Sequence, residues 1–139
     1  MHNPFTKATD TNIAVVGIVE HEGKVLMGRK ASIEHIFSGS WHIPSGRVQA
    51  GESAEEAVVR ELKEEAGIDV RIKKLLDENF VAETGHLVKW YLCSAISADL
   101  KAGEDLVEVK FVTKEDAQKI AHPKAIGNWP SKVLEFFRS

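Results

Sequence analysis

Three glutamates, Glu61, Glu64 and Glu65, stand at i, i+3 and i+4, a spacing that puts all three on one face of a helix. Like charges so placed repel by about 0.2–0.5 kcal/mol per pair on an exposed helix, and a divalent cation would reverse that sign. A hard ion such as Mg²⁺ takes oxygen ligands and commonly bridges carboxylates to phosphates. Directly upstream, Gly39 to Gly51 holds Pro44, Ser45 and Gly46 and reads as an irregular loop, whose backbone carbonyls and amides can approach a metal or a phosphate. The combination points to metal-assisted phosphate chemistry. The same glutamates also suit a solvated helix face, because Glu56 and Glu64 each stand four residues from Arg60 and can form ordinary surface pairs with it.

The helix that carries them is expected over Ser53 to Ala66. Ser53 and Glu56 have the form of a capping box, and Gly67 falls where a left-handed C-terminal cap is wanted. Val58, Leu62 and Ala66 form the stripe that faces the core, while Ala54 and Ala57 extend the acidic stripe with little bulk, which reads as a face left open to a ligand. Before the loop, Ile13 to Glu20 and Val25 to Arg29 read as a hairpin turned at His21 to Lys24. After the helix, Val70 to Leu76, Leu87 to Ile96 and Glu108 to Val112 read as strands. Lys114 to Ala121 and Ser131 to Arg138, the latter with Ser131 as N-cap, read as closing helices. Strands and helices intermix, and the hairpin is too strong a feature for a purely parallel sheet. The expected class is α/β in the α+β sense, a mixed β-sheet sandwiched between helices.

Composition limits what such a site can serve. The chain has 139 residues, the length of one domain. It is 43% hydrophobic and 28% charged, with a formal net charge of -3, so there is no global positive field to hold a nucleic acid polymer. The longest apolar run, Ile13 to Val19, is far short of the roughly 18 residues a membrane-spanning helix needs, and the first ten residues lack a leader pattern. The lone cysteine, Cys93, sits in an apolar run and reads as a buried thiol. A cytoplasmic protein with no membrane partner is expected. The six histidines show no metal-ligand spacing, so zinc is not expected, and His42 and His86 read as incidental.

Gly46, five residues, Glu52, seven residues, Arg60-Glu61-Leu62, Lys63, Glu64-Glu65, Ala66 and Gly67-Ile68 match the Nudix box at every defining position over residues 46–68. The approach Trp41-His42-Ile43-Pro44 and the preceding hairpin are also similar to this family, so the resemblance covers the whole chain as one Nudix hydrolase domain, 1–139. Two positions depart from a common pattern: Ser45 stands where many members have a second glycine, and Gln49 where many have a glutamate.

The resemblance implies hydrolysis of the pyrophosphate bond of a nucleoside diphosphate linked to another group, with Mg²⁺ as cofactor and Mn²⁺ as its substitute. It makes Glu61, Glu64, Glu65 and the backbone of Gly46 the metal ligands, with Glu52 and Arg60 orienting them. For the proton-accepting base it offers Glu61 inside the box or Glu108 outside it, the latter in an acidic approach with Glu104 and Asp105; Glu108 is the favoured candidate. Arg29, Lys30 and Arg47 lie where phosphate is expected to pass, and Trp41, Phe37, Phe80 and Trp90 are candidates to stack a base. The window Ala82 to His86 shows neither the proline common in ADP-ribose hydrolases nor the tyrosine common in dinucleoside polyphosphate hydrolases. The chain therefore looks most like the MutT-type nucleoside triphosphate pyrophosphohydrolases. The alternatives are ADP-ribose, nucleotide sugars, CDP-alcohols, or a non-catalytic binding module of the same fold. A small-molecule nucleotide is the expected partner, and homodimers occur in the family.

Overall fold

The β-branched run that begins at Ile13 forms the central strand. A computed structural model describes residues 10–31, 39–97, 99–103 and 106–139. Strands β1 (Asp10–His21) and β2 (Lys24–Lys30) form the expected hairpin, turned at Glu22 and Gly23 with φ of 50° and 78°. Two successive left-handed residues match a tight turn to the twist of its strands. β1 runs parallel to β6 (His86–Ala95) from Ile13 to Glu20, and β6 pairs antiparallel with β5 (Val70–Val81).

The other edge of β1 is shared. Its first half pairs with β4 (Ser45–Gln49), and only Glu20 and His21 pair with β2. The sheet splits between β4 and β2, and the Gly17 N–H closes the split by donating to the Pro44 carbonyl at 3.0 Å. β2 in turn pairs with β3 (Trp41–His42) and with β7 (Leu106–Thr113).

Alternation along β1 sends Val15 and Val19 to one face and Val16 and Ile18 to the other. On the first face, α1 (Ala54–Ala66) lays Ala57, Val58, Leu62 and Ala66 against Val15, Val19, Leu26 and Val48. On the second, α2 (Lys114–Ile120) contributes Ala117, and α4 (Ser131–Arg138) buries Val133 and Phe137 with Met27, Trp90 and Trp129. This is the mixed sheet between helices that the element pattern requires. Among the described residues, no helix is long and apolar enough to cross a membrane.

Several details differ from the sequence reading. The segment Gly39 to Gly51 is not wholly irregular: it contains β3 and β4. β5 runs past Leu76 to Val81, its polar residues serving as edge contacts. A short α3 (Pro123–Ile126) separates the two closing helices. Ser131 does not cap α4. It is the first helical residue, Pro130 holds the cap position, and the Lys132 N–H donates to Asp77 Oδ2 of β5 at 3.2 Å. Proline offers no side-chain acceptor, so the helix takes one from the sheet. Glu104, Asp105 and Phe37 lie outside the described residues.

The caps of α1 follow the expected pattern. The Glu56 N–H donates to Ser53 Oγ at 3.0 Å and the Ser53 N–H donates to Glu56 Oε1 at 2.9 Å. Gly67 takes φ of 67° and its N–H donates to the Lys63 carbonyl at 3.0 Å. Replacing Ser53 with Ala removes one arm of the box and is expected to cost about 1 kcal/mol. In urea unfolding the midpoint should fall with the slope unchanged.

Candidate active site

Arg60 is the hub of the acidic cluster. A guanidinium has five N–H donors in a fixed fork, and here they meet five different oxygens. Nε donates to Glu52 Oε2 at 2.8 Å and Nη2 to Glu52 Oε1 at 3.0 Å. Nη1 donates to Glu61 Oε1 at 2.7 Å and to Glu64 Oε2 at 3.2 Å. Nη2 also donates to the Arg47 carbonyl at 2.9 Å, which ties the helix to β4. Glu56, also four residues from Arg60, serves the capping box instead.

Glu52 is held doubly, because its Oε1 also accepts the Gln49 N–H at 3.1 Å. The hydrogen bonds from Arg60, aided by that of Gln49, hold the Glu52 carboxyl below the ordinary carboxylate range despite the opposing effect of burial. The Glu52 carboxylate in turn raises the Arg60 guanidinium further above its already high value.

The acidic stripe is only partly open, not wholly so as the small residues suggested: Glu64 is exposed, but the rest is largely covered. Ala57 is fully buried against the sheet and Glu65 is only 7% exposed. The stripe lies at the seam between α1 and β4, where small residues let helix and strand approach closely. Gly46 shows how tight the seam is: a Cβ there would collide with the Glu61 carboxyl group. Any side chain at Gly46 would displace Glu61, so the glycine of the box is needed for space.

Among the described residues, no group of three His, Cys, Asp or Glu side chains is already gathered around one point; Arg60 Nη1 holds Glu61 and Glu64. The donor set nonetheless suits a hard divalent cation. Glu61, Glu64, Glu65 and the Gly46 backbone offer only oxygen, and one guanidinium cannot neutralise four carboxylates.

β4 divides the site between two faces. Val48 packs into the core under α1 and Gly46 abuts Glu61, while Ser45, one residue away, lines a cavity on the opposite face. The cavity has a volume of about 240 Å³. Its floor is sheet, with Val16, Val88 and Trp90, and its outer wall includes His122, Asn128 and Trp129. All three tryptophans of the chain line it. The His122 Nδ1 accepts the Lys124 N–H at 3.1 Å, which directs its ring proton to Nε2 when the imidazole is neutral.

The candidates outside the box separate accordingly. Trp41 and Trp90 line the cavity, but Phe80 is 64% exposed and does not. Lys30 lines the cavity, whereas Arg47 is exposed and does not contribute to its lining. Arg29 and Lys110 lie over the Trp41 ring at 5.9 and 4.5 Å from its centre. Glu108 pairs across the strands with Arg29, Oε1 to Nε at 3.4 Å. In that register Glu108 shares the face of Val112 and Met27, opposite α1, so the structure does not bring it to the box glutamates. Cys93 is buried and its thiol is pushed up to about 12 by that burial, leaving it an unreactive core residue. Burial, with the cation of Arg47, holds the His86 imidazole below its ordinary range.

His122, Asn128 and Trp129 were missing from the sequence-based candidates. The available signal was the Asn128-Trp129-Pro130 run between two short helices, an aromatic residue at a turn.

A model of the NUDIX domain matches residues 9–136. An ADP-ribose pyrophosphatase from Methanocaldococcus jannaschii is 35% identical over 84% of this chain and 72% of its own. The nucleoside triphosphatase NudI from Enterobacter sp. (strain 638) is 28% identical, covering 73% of this chain and 81% of its own. The crystal structure of a NUDIX hydrolase from Nitrosomonas europaea superposes with a TM-score of 0.72 at 24% identity, over 81% of this chain and 64% of that one, a likeness in fold.

The Glu52–Arg60 link carries a pH signature. Its stabilising effect is fully present above the ordinary carboxylate value of 4.5 and is lost as pH falls through the lower value that Glu52 has in the folded chain. The stability gap between wild type and Glu52→Gln should therefore shrink as pH drops below that range, as read from urea midpoints across an acid series.

Proposed function

The chain belongs to the NUDIX domain family and is a hydrolase of that family; on that premise we propose that it cleaves nucleoside triphosphates to monophosphate and pyrophosphate with Mg²⁺. The observation that carries this reading is the single strand β4, with the box carboxylates on one side and a tryptophan-lined cavity on the other. At about 240 Å³, the cavity falls below the roughly 300–1,000 Å³ of sites that enclose a whole drug-sized ligand. It suits one base, with the phosphates outside and crossing the β4 edge toward α1.

Glu61, Glu64, Glu65 and the Gly46 carbonyl would hold the cation, which when bound polarises phosphoryl oxygens and lowers the pKa of a coordinated water. Arg60 keeps Glu61 and Glu64 in fixed rotamers. Trp41, Trp90 and Trp129 exclude water around the base and offer stacking surface. A water oxygen attacks one phosphorus in line, the P–O–P bridge breaks, and pyrophosphate leaves. We assign the proton of that water to the Glu61 carboxylate, at the α1–β4 seam. Glu108, on the other face, is assigned to hold Arg29 beside Trp41.

ADP-ribose is a second reading, favoured by the relative from Methanocaldococcus jannaschii, which is an ADP-ribose pyrophosphatase. The complete box and the enzymatic relatives leave no reason to prefer a non-catalytic module.

Product analysis over a nucleotide panel separates the readings. Triphosphates should give monophosphate and pyrophosphate; faster release of AMP and ribose phosphate from ADP-ribose would favour the second. Glu65→Gln should lower turnover at saturating Mg²⁺ by at least about 100-fold while keeping the fold, since loss of a metal ligand exceeds the roughly 10–100-fold cost of losing an outer-shell partner. Wild-type turnover in that variant would remove the assignment.

A further inference from the structure

The floor and the outer wall of the cavity come from distant parts of the chain, and one side chain joins them. Trp90, on the floor, is buried, and its indole N–H donates to Asn79 Oδ1 at 2.8 Å. The other end of the same carboxamide, Asn79 Nδ2, donates to the Asn128 carbonyl in the outer wall at 2.9 Å. Asn79 itself does not line the cavity. It sits on β5, half-buried, beside Asp77, which accepts from Lys132 and so fixes the start of the following helix.

Both partners of Asn79 have fixed polarity. An indole nitrogen only donates and a backbone carbonyl only accepts, so the carboxamide fits in one orientation, and neither a carboxylate nor an apolar side chain satisfies both. The wall segment is otherwise built from local turns, with the Asn128 N–H on the Ala125 carbonyl and the Trp129 N–H on the Ile126 carbonyl, each at 3.0 Å. Trp129 stacks on Phe137 at 4.6 Å. Those contacts shape the segment and hold its far side. The Asn79 bond is the polar tie that fixes its Asn128 end to the sheet.

The geometry points to Asn79 as a positioning residue for base selection: it sets the spacing between Trp90 and the Asn128–Trp129 wall, and so determines which base the cavity accepts. This rests on the proposed nucleotide reading of the cavity. The box glutamates lie on the other face of the sheet, so a loosened wall should change binding and discrimination far more than the chemical step.

The test compares wild type with Asn79→Ala and Asn79→Asp. Asn79→Asp keeps the size of the side chain and an acceptor for the indole, and replaces the donor to Asn128 with a carboxylate oxygen that repels its carbonyl; it carries the test if Asn79→Ala fails to fold. Two readouts are used: kcat and KM for the four ribonucleoside triphosphates with Mg²⁺, and tryptophan-fluorescence titration with the four monophosphates without metal. KM and Kd for the preferred base should rise by roughly three- to tenfold, the loss expected when one ordinary hydrogen bond is broken. The ratio of kcat/KM between best and worst base should shrink by a similar factor, with kcat held within about twofold. An equal loss for all four bases, a fall in kcat at constant KM, or unchanged discrimination would reduce Asn79 to a structural role and overturn the proposal. A wild type indifferent to the base would also overturn it. A wild type that neither binds nor cleaves any nucleotide would instead defeat the functional reading beneath it, and this proposal with it.

Discussion

The site depends on one guanidinium with no spare donor. Arg60 spends its five N–H groups on Glu52, Glu61, Glu64 and the Arg47 carbonyl, which fixes three carboxylates and the edge of β4 in one frame. Lysine has the same charge but lacks the planar fork, so it cannot hold Glu52 through two parallel bonds while reaching three other oxygens. The geometry of the fork matters more here than its charge. Without it, the like charges on α1 would swing apart, and the tight approach of Gly46 to Glu61 would lose the bond that fixes the carboxylate.

The second constraint is β4. Alternation along a strand sends Gly46 to the helix side and Ser45 to the cavity side. On the proposed reading, chemistry and recognition therefore sit on opposite faces of the sheet, separated by the thickness of one strand. Loops around the cavity can change without disturbing the carboxylates, and the carboxylates can stay fixed while the cavity varies. The register of β7 with β2 likewise puts Glu108 beside Arg29, on the face opposite α1.

The helix, its caps and its acidic stripe were legible because each is a local pattern: Ser53 and Glu56 three apart, Gly67 after the last turn, and the glutamates at i, i+3 and i+4. The orientation of that stripe was not. Ala57 reads as an opening because it is small, yet it is small because the helix lies close on the sheet. β4 was hidden for a related reason. Gly46 is required by its close neighbour Glu61, and its presence beside Pro44 and Ser45 mimics a loop. The outer wall of the cavity was invisible because it is assembled by contacts between residues far apart in sequence, such as Asn79 with Asn128 and Asp77 with Lys132. No window of sequence contains such a pair.

Calorimetric titration of Mg²⁺ into the wild type and Arg60→Lys tests the central claim most directly, because it reads the organisation of the carboxylates without requiring turnover. If Arg60 holds them in a productive arrangement, Arg60→Lys should remain folded and bind the ion roughly 10–100-fold more weakly. Equal or tighter binding by the variant would contradict the account, and would mean that Arg60 competes with the cation for Glu61 and Glu64.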